Sequence, residues 1–235
     1  MSTLLLVRHG LTPLTGPVLA GRTPEVHLDD RGRVQAGAVA ARVGALPLAA
    51  IVTSPLERCV ETAAVIAEVQ QAAGRETRWE LEDRLIECGY GTWTGRPIKE
   101  LLREPMWKVV QAQPSAARFP DGESLSEMSA RAVAAVRDWN ARLGPDAIWV
   151  ACSHGDVIKA ILADALGLHL DQFQRIVVDP CSVSVVRYTD TRPYVLRAND
   201  VGADLTAFAP AAKKGRRRRG NHDATLGGGA GSGSV

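Results

Sequence analysis

The most constraining feature of the chain is a run of four large apolar residues, Leu4 to Val7, that ends in Arg8, His9 and Gly10. Such a run is typical of a strand buried on both faces, as in the middle of an α/β sheet. A cation and a titratable imidazole are costly to bury at the end of this strand unless they have a function. Ligands of open α/β sheets bind at the carboxyl ends of the strands. The run therefore predicts a ligand site centred on His9.

Composition excludes several other classes of protein. The 235 residues are 46% apolar and 23% charged, as in an ordinary globular protein. No apolar run approaches the ~18 residues of a membrane span, and the chain begins directly with the first strand, so we expect neither a membrane segment nor a secretory leader. No cysteine or histidine spacing indicates a metal site, and no metal or cofactor is expected. Four widely separated cysteines predict buried free thiols in the reducing cytoplasm: Cys59, Cys88, Cys152 and Cys181.

Strands and helices alternate along most of the chain. Further strands are predicted at 48–53, 77–81, 147–152, 182–188 and 194–198, and helices at 34–46, 55–73, 98–111 with a break at Pro105, 125–143 and 156–166. Asp29, Ser54 and Ser124 are the predicted N-caps, and Ser124 forms a capping box with Glu127. The alternation predicts one α/β domain over residues 1–205 with helices on both faces of the sheet, a three-layer α/β/α sandwich.

The last thirty residues differ in composition. Residues 206–235 are rich in Lys, Arg, Gly and Ser and are predicted to be a disordered tail. Six of the cations lie at 213–219, so the net charge of +2 combines a basic tail with a mildly acidic domain. Such a run can attract nucleic acid or anionic lipid. No aromatic residue interleaves with the charges, so we expect a solvated tail and no nucleic-acid partner.

Polar residues follow three of the predicted strands. Arg8 and His9 end the first, Thr53 and Ser54 end the second with Arg58 one turn later, and Ser153, His154 and Gly155 end another. If these strands are parallel neighbours, their ends meet at one edge of the sheet. Arginine binds phosphate oxygens bidentately, imidazole is nucleophilic near neutral pH, and a helix that follows Gly155 offers its N-terminus to an anion. The pattern predicts a phosphate site.

Phosphoryl transfer also needs a general acid for the leaving oxygen. Glu87 is the candidate, because a carboxyl group in an apolar, glycine-rich loop has its pKa raised by desolvation. Two simpler interpretations stay open at this point. Glu87 could be a solvated loop carboxylate, and Arg58 could be a surface residue that pairs with Glu61.

Five segments together resemble the histidine phosphatase superfamily, the phosphoglycerate mutase-like family, over residues 3 to about 200. They are Val7-Arg8-His9-Gly10, Thr53-Ser54-Pro55-Leu56 with Arg58, Leu85-x-Glu87 with Gly91-x-Trp93-x-Gly95, Gly122-Glu123-Ser124 and Ser153-His154-Gly155. The pattern is similar to an actinobacterial phosphatase branch that is often labelled probable phosphomutase.

The resemblance implies a mostly parallel mixed sheet and a ping-pong reaction through phosphohistidine, without a metal. His9 would be the nucleophile, Glu87 the proton donor and then the base, and Arg8, Arg58 and His154 would bind the phosphoryl group. The substrate would be a small phosphorylated metabolite: a phosphosugar, a phosphoglycerate derivative or a nucleotide-loop intermediate of cobamide synthesis. Homodimers are a fair expectation.

The chain also departs from the family pattern. Thr15 stands where the family has an asparagine that contacts the substrate, and Gly21 and Arg22 can reach the substrate from the first loop. The stretch between Glu87 and Gly122 is short for a phosphoglycerate mutase, whose insertion there closes over the substrate. An open site admits water, which favours a phosphatase. A mutase, and a non-catalytic binding module that acts through the basic tail, remain the alternatives.

Overall fold

The computed structural model describes residues 1–202 together with Gly227 and Gly229. Within these residues the chain forms six strands and six α-helices. The strands are β1 (Ser2–Arg8), β2 (Ala50–Thr53), β3 (Arg78–Leu81), β4 (Ile148–Ser153), β5 (Val183–Tyr188) and β6 (Pro193–Asp200). The helices are α1 (Asp30–Val43), α2 (Glu57–Ala72), α3 (Ile98–Leu101), α4 (Pro105–Ala112), α5 (Leu125–Leu143) and α6 (Gly155–Ala165).

All six strands belong to one sheet in the order β3-β2-β4-β1-β5-β6. The first four of these are mutually parallel, whereas β5 pairs antiparallel with β1 and β6 antiparallel with β5. The expectation of a mostly parallel mixed sheet is confirmed. The central position of β1 explains why its sequence is apolar without alternation.

Side chains of β1 enter two separate cores. Leu4 and Leu6 pack on one face of the sheet with α5 and α6, and Leu5 and Val7 pack on the other face with α1 and α2. All four are at most 4% exposed. Burial of each such side chain stabilises the fold by about 1.5–3 kcal/mol. The predicted three-layer α/β/α arrangement is therefore confirmed, and β1 is held rigidly from both sides.

Two of the three predicted N-caps are confirmed. The Asp29 carboxylate accepts a hydrogen bond from the Gly32 N–H at 2.7 Å, and the reciprocal bonds of the Ser124–Glu127 capping box are both present. The third prediction is wrong, because α2 begins at Glu57 and its N-cap residue is Leu56. The hydroxyl of Ser54 lies 2.8 Å from the Nε2 atom of His154 instead, so this serine belongs to the strand-end cluster.

The exposure of each tryptophan depends on where its helix or strand lies in the fold. Trp139 and Trp149 are buried, whereas Trp79 is 37% exposed. Trp79 lies on β3, an edge strand whose residues are exposed or half-buried. An edge strand is covered less well by helices than a central one, and this accounts for the difference.

The described residues also show the state of the cysteines and whether any helix could span a membrane. All four cysteines are buried and free. Among the residues described, no helix is long and apolar enough to cross a membrane. The boundary predicted at residue 205, the basic run at 213–219 and the disorder predicted for 206–235 lie outside the described residues, Gly227 and Gly229 excepted.

Candidate active site

The three polar strand ends lie side by side because β2, β4 and β1 are consecutive in the sheet. In the strand register Arg8 is opposite Ser153, and Thr53 is opposite Cys152. The residues that follow these positions therefore converge at the carboxyl edge of the sheet. A pocket at this edge is lined by Arg8, His9, Arg58 and Glu87.

His9 is buried and oriented by its own backbone. Its Nδ1 atom lies 2.7 Å from the carbonyl oxygen of Gly10. Because a carbonyl can only accept, Nδ1 carries the ring proton, and the lone pair is on Nε2. Burial and the charges of Arg58 and Arg8 hold the pKa of His9 well below its ordinary value. The imidazole is therefore neutral near pH 7, with its nucleophilic nitrogen available.

Gly10 lies where the chain leaves β1 and enters the following loop. A Cβ atom at Gly10 would lie 2.6 Å from the carbonyl oxygen of Gly32 in the first turn of α1. The glycine thus permits close packing of the loop after β1 against α1. It is the first turn of α1 that occupies the space beside Gly10.

Arg58 lies at the centre of the cluster. Its Nε atom is 3.3 Å from His9 Nε2, and its Nη2 atom donates to the Gly21 carbonyl at 2.6 Å and lies 3.3 Å from His154 Nδ1. Nη1 is buried and has no hydrogen-bond partner among the described residues. A buried guanidinium with an unused donor is suited to an anion.

The alternative that Arg58 is a surface residue paired with Glu61 is wrong. Arg58 is only 2% exposed. The Glu61 carboxylate instead accepts hydrogen bonds at the first loop, from the backbone N–H of Leu28 and from the ring of His27. His27 itself is at the surface.

His154 lies behind Arg58. Its ring is fully buried, its Nε2 atom is bonded to the Ser54 hydroxyl, and its centroid is 5.2 Å from that of His9 at an interplanar angle of 63°. Burial, with the charge of Arg58 as the next cause, holds the pKa of His154 well below its ordinary value. The ring of His154 therefore stays neutral and keeps Arg58 in place.

Arg8 carries the contact that links the site to the end of the chain. Its Nη1 atom donates to the Val178 carbonyl at 2.7 Å, and its Nη2 atom donates to the carbonyls of Gly227 at 3.1 Å and Gly229 at 2.6 Å. Gly227 and Gly229 line the same pocket as His9. Carbonyl oxygens of the C-terminal segment thus occupy donors that would otherwise face a phosphate.

We expect a chain that ends at Gly202 to bind substrate more tightly than the full chain. Removal of Gly227 and Gly229 takes away two carbonyl acceptors of Arg8 Nη2, so KM should fall severalfold while kcat stays the same, as for the loss of a competing ligand. Steady-state kinetics of the two chains, with the dissociation constant of inorganic phosphate as a second readout, checks this. An unchanged KM together with unchanged phosphate affinity would show that these carbonyls do not compete.

Glu87 faces the same pocket from the loop after β3. It is 4% exposed, and its Oε1 atom accepts a hydrogen bond from the Cys88 N–H at 3.0 Å. Burial, with the charge of Asp156 as the next cause, raises the pKa of Glu87 to about 7. The carboxyl group is therefore protonated over a large part of the neutral range, as a general acid must be.

Two arginines fix the loop that carries Glu87. The Glu87 carbonyl accepts hydrogen bonds from Arg22 Nε at 2.8 Å and from Arg131 Nη2 at 3.1 Å, and the Glu123 carboxylate bridges the two guanidinium groups. Arg131, on α5, was missed in the sequence. Its only sequence signal is its position two turns after the Gly122-Glu123-Ser124 segment, on a helix that was predicted correctly.

A second contact holds this loop against its neighbouring turn. Gly91 has a φ of +53°, and a Cβ atom there would lie 1.9 Å from the Pro120 carbonyl. Only glycine fits both the backbone conformation and the space. The loop is therefore rigid on the side away from the pocket.

The remaining predicted residues fall in two places. Thr15 and Gly21 line the pocket, and the Thr15 hydroxyl lies 2.9 Å from that of Thr12. Arg22 directs its guanidinium to Glu87 and Glu123, so it supports the loop. Gly155 is the first residue of α6, and its buried backbone follows His154 directly.

Comparison with known proteins identifies the family to which a chain with this site belongs. The family model of the histidine phosphatase superfamily (branch 1) matches residues 4–201. Phosphoserine phosphatase 1 of Hydrogenobacter thermophilus is 28% identical over 85% of this chain and 92% of its own length. A probable phosphoglycerate mutase, GpmB of Photorhabdus laumondii, is 33% identical over 80% of this chain and 86% of its own.

A solved structure agrees with these sequence matches. The native structure of a mycobacterial glucosyl-3-phosphoglycerate phosphatase superposes with a TM-score of 0.73 at 25% identity, over 84% of this chain and 98% of that one. Fold, strand-end cluster and family match coincide over the same residues. The chain belongs to the histidine phosphatase superfamily.

Proposed function

We propose that the protein is a phosphomonoesterase that releases phosphate from a small phosphorylated metabolite through a phosphohistidine on His9. The observation that carries the proposal is the neutral, oriented imidazole of His9 in one pocket with two buried arginines and Glu87. The related phosphatases named above support hydrolysis as the reaction. The reaction needs no metal, because the guanidinium groups supply the positive charge that phosphoryl transfer requires.

The first half-reaction transfers the phosphoryl group to the enzyme. Nε2 of His9 attacks phosphorus while the bond to the leaving oxygen breaks, and Glu87 gives its proton to that oxygen. Arg8 and Arg58 neutralise the charge on the other phosphoryl oxygens. The alcohol leaves, and the enzyme carries phospho-His9 and an ionised Glu87.

The second half-reaction restores the enzyme. Water attacks phosphorus, the ionised Glu87 accepts a proton from that water, and the bond between phosphorus and Nε2 breaks. Inorganic phosphate leaves, His9 regains its lone pair, and Glu87 is protonated again. His154 acts in both steps by holding Arg58 in place.

The pH profile tests the role of Glu87. Its pKa is raised to about 7, so the acid form predominates below that pH and is lost above it. We therefore expect kcat/KM to fall as pH rises through about 7, a limb that reports the free enzyme. The measurement uses an alkyl phosphate, whose leaving oxygen needs a proton, over pH 5 to 9. A profile that rises over the alkaline half would contradict the assignment.

A phosphoglycerate mutase is the second candidate, because the probable mutase GpmB is among the relatives. In that reaction phospho-His9 would return its phosphoryl group to a bound phosphoglycerate and not to water. Phosphate release and 3-phosphoglycerate isomerisation, measured side by side with EDTA present, separate the two. Isomerisation that outpaces phosphate release would replace the proposal.

We also propose a cytoplasmic location, supported by the four buried, free cysteines. A role of the basic run at 213–219 in binding would not need the strand-end cluster, and this run lies outside the described residues. The presence of His9, Glu87 and both arginines in one pocket favours an enzyme over a non-catalytic module.

A further inference from the structure

A buried carboxylate beside the phosphate pocket contacts no reacting group in the steps described above, although its charge raises the pKa of Glu87. Asp156, the second residue of α6, is fully buried. Its Oδ1 atom is 3.4 Å from the Lys159 ammonium, and its Oδ2 atom accepts a hydrogen bond from the Tyr90 hydroxyl at 2.8 Å. Burial of a carboxylate is costly, so an aspartate at this position indicates that an oxygen of its carboxylate has a use as a hydrogen-bond acceptor.

The C-terminal segment shows what that oxygen can reach. Gly227 donates its N–H to Asp156 Oδ2 at 3.1 Å, and its carbonyl accepts from Arg8 Nη2 at 3.1 Å. One residue therefore spans the distance between the arginine donor and the aspartate acceptor. A molecule whose oxygen lies on Arg8 can place an N–H or O–H group on Asp156 in the same way.

The groups around Asp156 hold its carboxylate in place but do not fill all of its hydrogen-bond acceptor positions. Lys159 approaches Oδ1, whereas Tyr90 and Gly227 both approach Oδ2. An ionised carboxylate offers about four acceptor positions, so Oδ2 accommodates a second donor beside the tyrosine hydroxyl. Tyr90 also lines the pocket, which places the Oδ2 side of Asp156 towards the substrate.

We propose that Asp156 is a specificity-determining residue that accepts a hydrogen bond from an ammonium or hydroxyl group of the substrate, close to the phosphoryl group on Arg8. The inference rests on the proposed phosphatase function and narrows its substrate class. The preferred substrates carry a donor on a carbon near the ester, and simple alkyl phosphates are poor substrates. A site built to accept such a donor rejects an analogue that lacks it.

Three substrates that differ in one group test the inference. O-Phosphoserine has an ammonium group on C2, 3-phosphoglycerate a hydroxyl and 3-phosphooxypropanoate only hydrogen, and all share the phosphate and the carboxylate. We expect kcat/KM of the full chain to be at least about tenfold higher for one or both donor-bearing compounds than for 3-phosphooxypropanoate. Competition by Gly227 and Gly229 affects all three equally and cancels in this ratio.

Asp156→Asn should bring that ratio close to one while turnover of 3-phosphooxypropanoate persists. Asp164→Asn, on the same helix but paired with Arg137 at the surface, is the matched control and should keep the ratio. Tyr90→Phe, which removes only the hydroxyl that orients Oδ2, is the second variant if Asp156→Asn does not fold, and it should reduce the ratio as well.

Each other outcome has a definite meaning. A ratio near one in the unmodified chain overturns the inference but leaves a phosphatase. An equal loss for all three substrates in Asp156→Asn, in a folded protein, also overturns it, because Asp156 would then act on Glu87 or on the fold. If the unmodified chain releases phosphate from none of them nor from p-nitrophenyl phosphate, the proposed function fails and the inference fails with it.

Discussion

His9→Ala should lower kcat by about 10⁴-fold or more, because it removes the atom to which the phosphoryl group is transferred. No other described group in the pocket offers a neutral imidazole nitrogen: His154 is bonded to Ser54 and lies behind Arg58. The measurement is phosphate release from p-nitrophenyl phosphate at pH 6 to 7. His27→Ala is the matched control, since His27 is exposed and its ring lies beside the carboxylates of Glu25 and Glu61.

The thermal midpoint of His9→Ala shows whether the variant is folded. Because His9 lies at a site that is shaped for its substrate, we expect its removal to change the thermal midpoint little. A folded His9→Ala variant that retains more than about a hundredth of the activity would contradict the role of His9.

Glu87→Gln should slow the enzyme by about 10²- to 10⁴-fold with an alkyl phosphate, whose leaving oxygen needs a proton. Glutamine keeps the shape of the side chain and can still accept the Cys88 N–H bond, so the loop should stay in place. With p-nitrophenyl phosphate the leaving group needs little help, and the first step should be affected far less.

The second step gives this variant a distinctive signature. Glu87 is also the base that activates water, so the Gln variant should release one equivalent of p-nitrophenol per enzyme in a burst and then turn over slowly. Glu80→Gln on the exposed strand β3 is the control and should behave like the unmodified protein. Equal slowing of both substrates without a burst would show that Glu87 only supports the pocket. The loss of the alkaline limb of the pH profile in the same variant is an independent check.

The sequence predicted the parts of the fold that depend on local patterns. The apolar run before Arg8 placed the central strand, the Ser124–Glu127 capping box placed the start of α5, and the polar residues after three strands indicated the edge where a ligand binds. These features are encoded within a few residues of one another, or follow from the geometry of a parallel sheet.

Contacts between distant residues could not be predicted in this way. Ser54 has the pattern of an N-cap, but His154, one hundred positions later, lies against its hydroxyl. Arg131 reaches the Glu87 carbonyl from 44 positions away, and Tyr90 reaches Asp156 across 66. Such partners are fixed by how the loops pack on the sheet, and a single sequence does not carry that information.

The same limit explains what the sequence missed at the pocket. Asp156 looked like an ordinary helix residue because acidic side chains are common in the first turn of a helix. Its place beside Arg8 and Tyr90 follows only from the three-dimensional arrangement of α6, β1 and the Glu87 loop. The contacts of Gly227 and Gly229 with Arg8 were equally beyond sequence patterns.

The most direct test of the account is to trap the phosphoenzyme. The protein is mixed with p-nitrophenyl phosphate, quenched with strong base within milliseconds, digested, and examined by mass spectrometry, since phosphohistidine survives base better than acid. The account predicts one added phosphoryl group on the peptide that contains His9, with an occupancy that rises in Glu87→Gln. Phosphate release by a folded enzyme that carries no label on His9, or carries it on another residue, would contradict it.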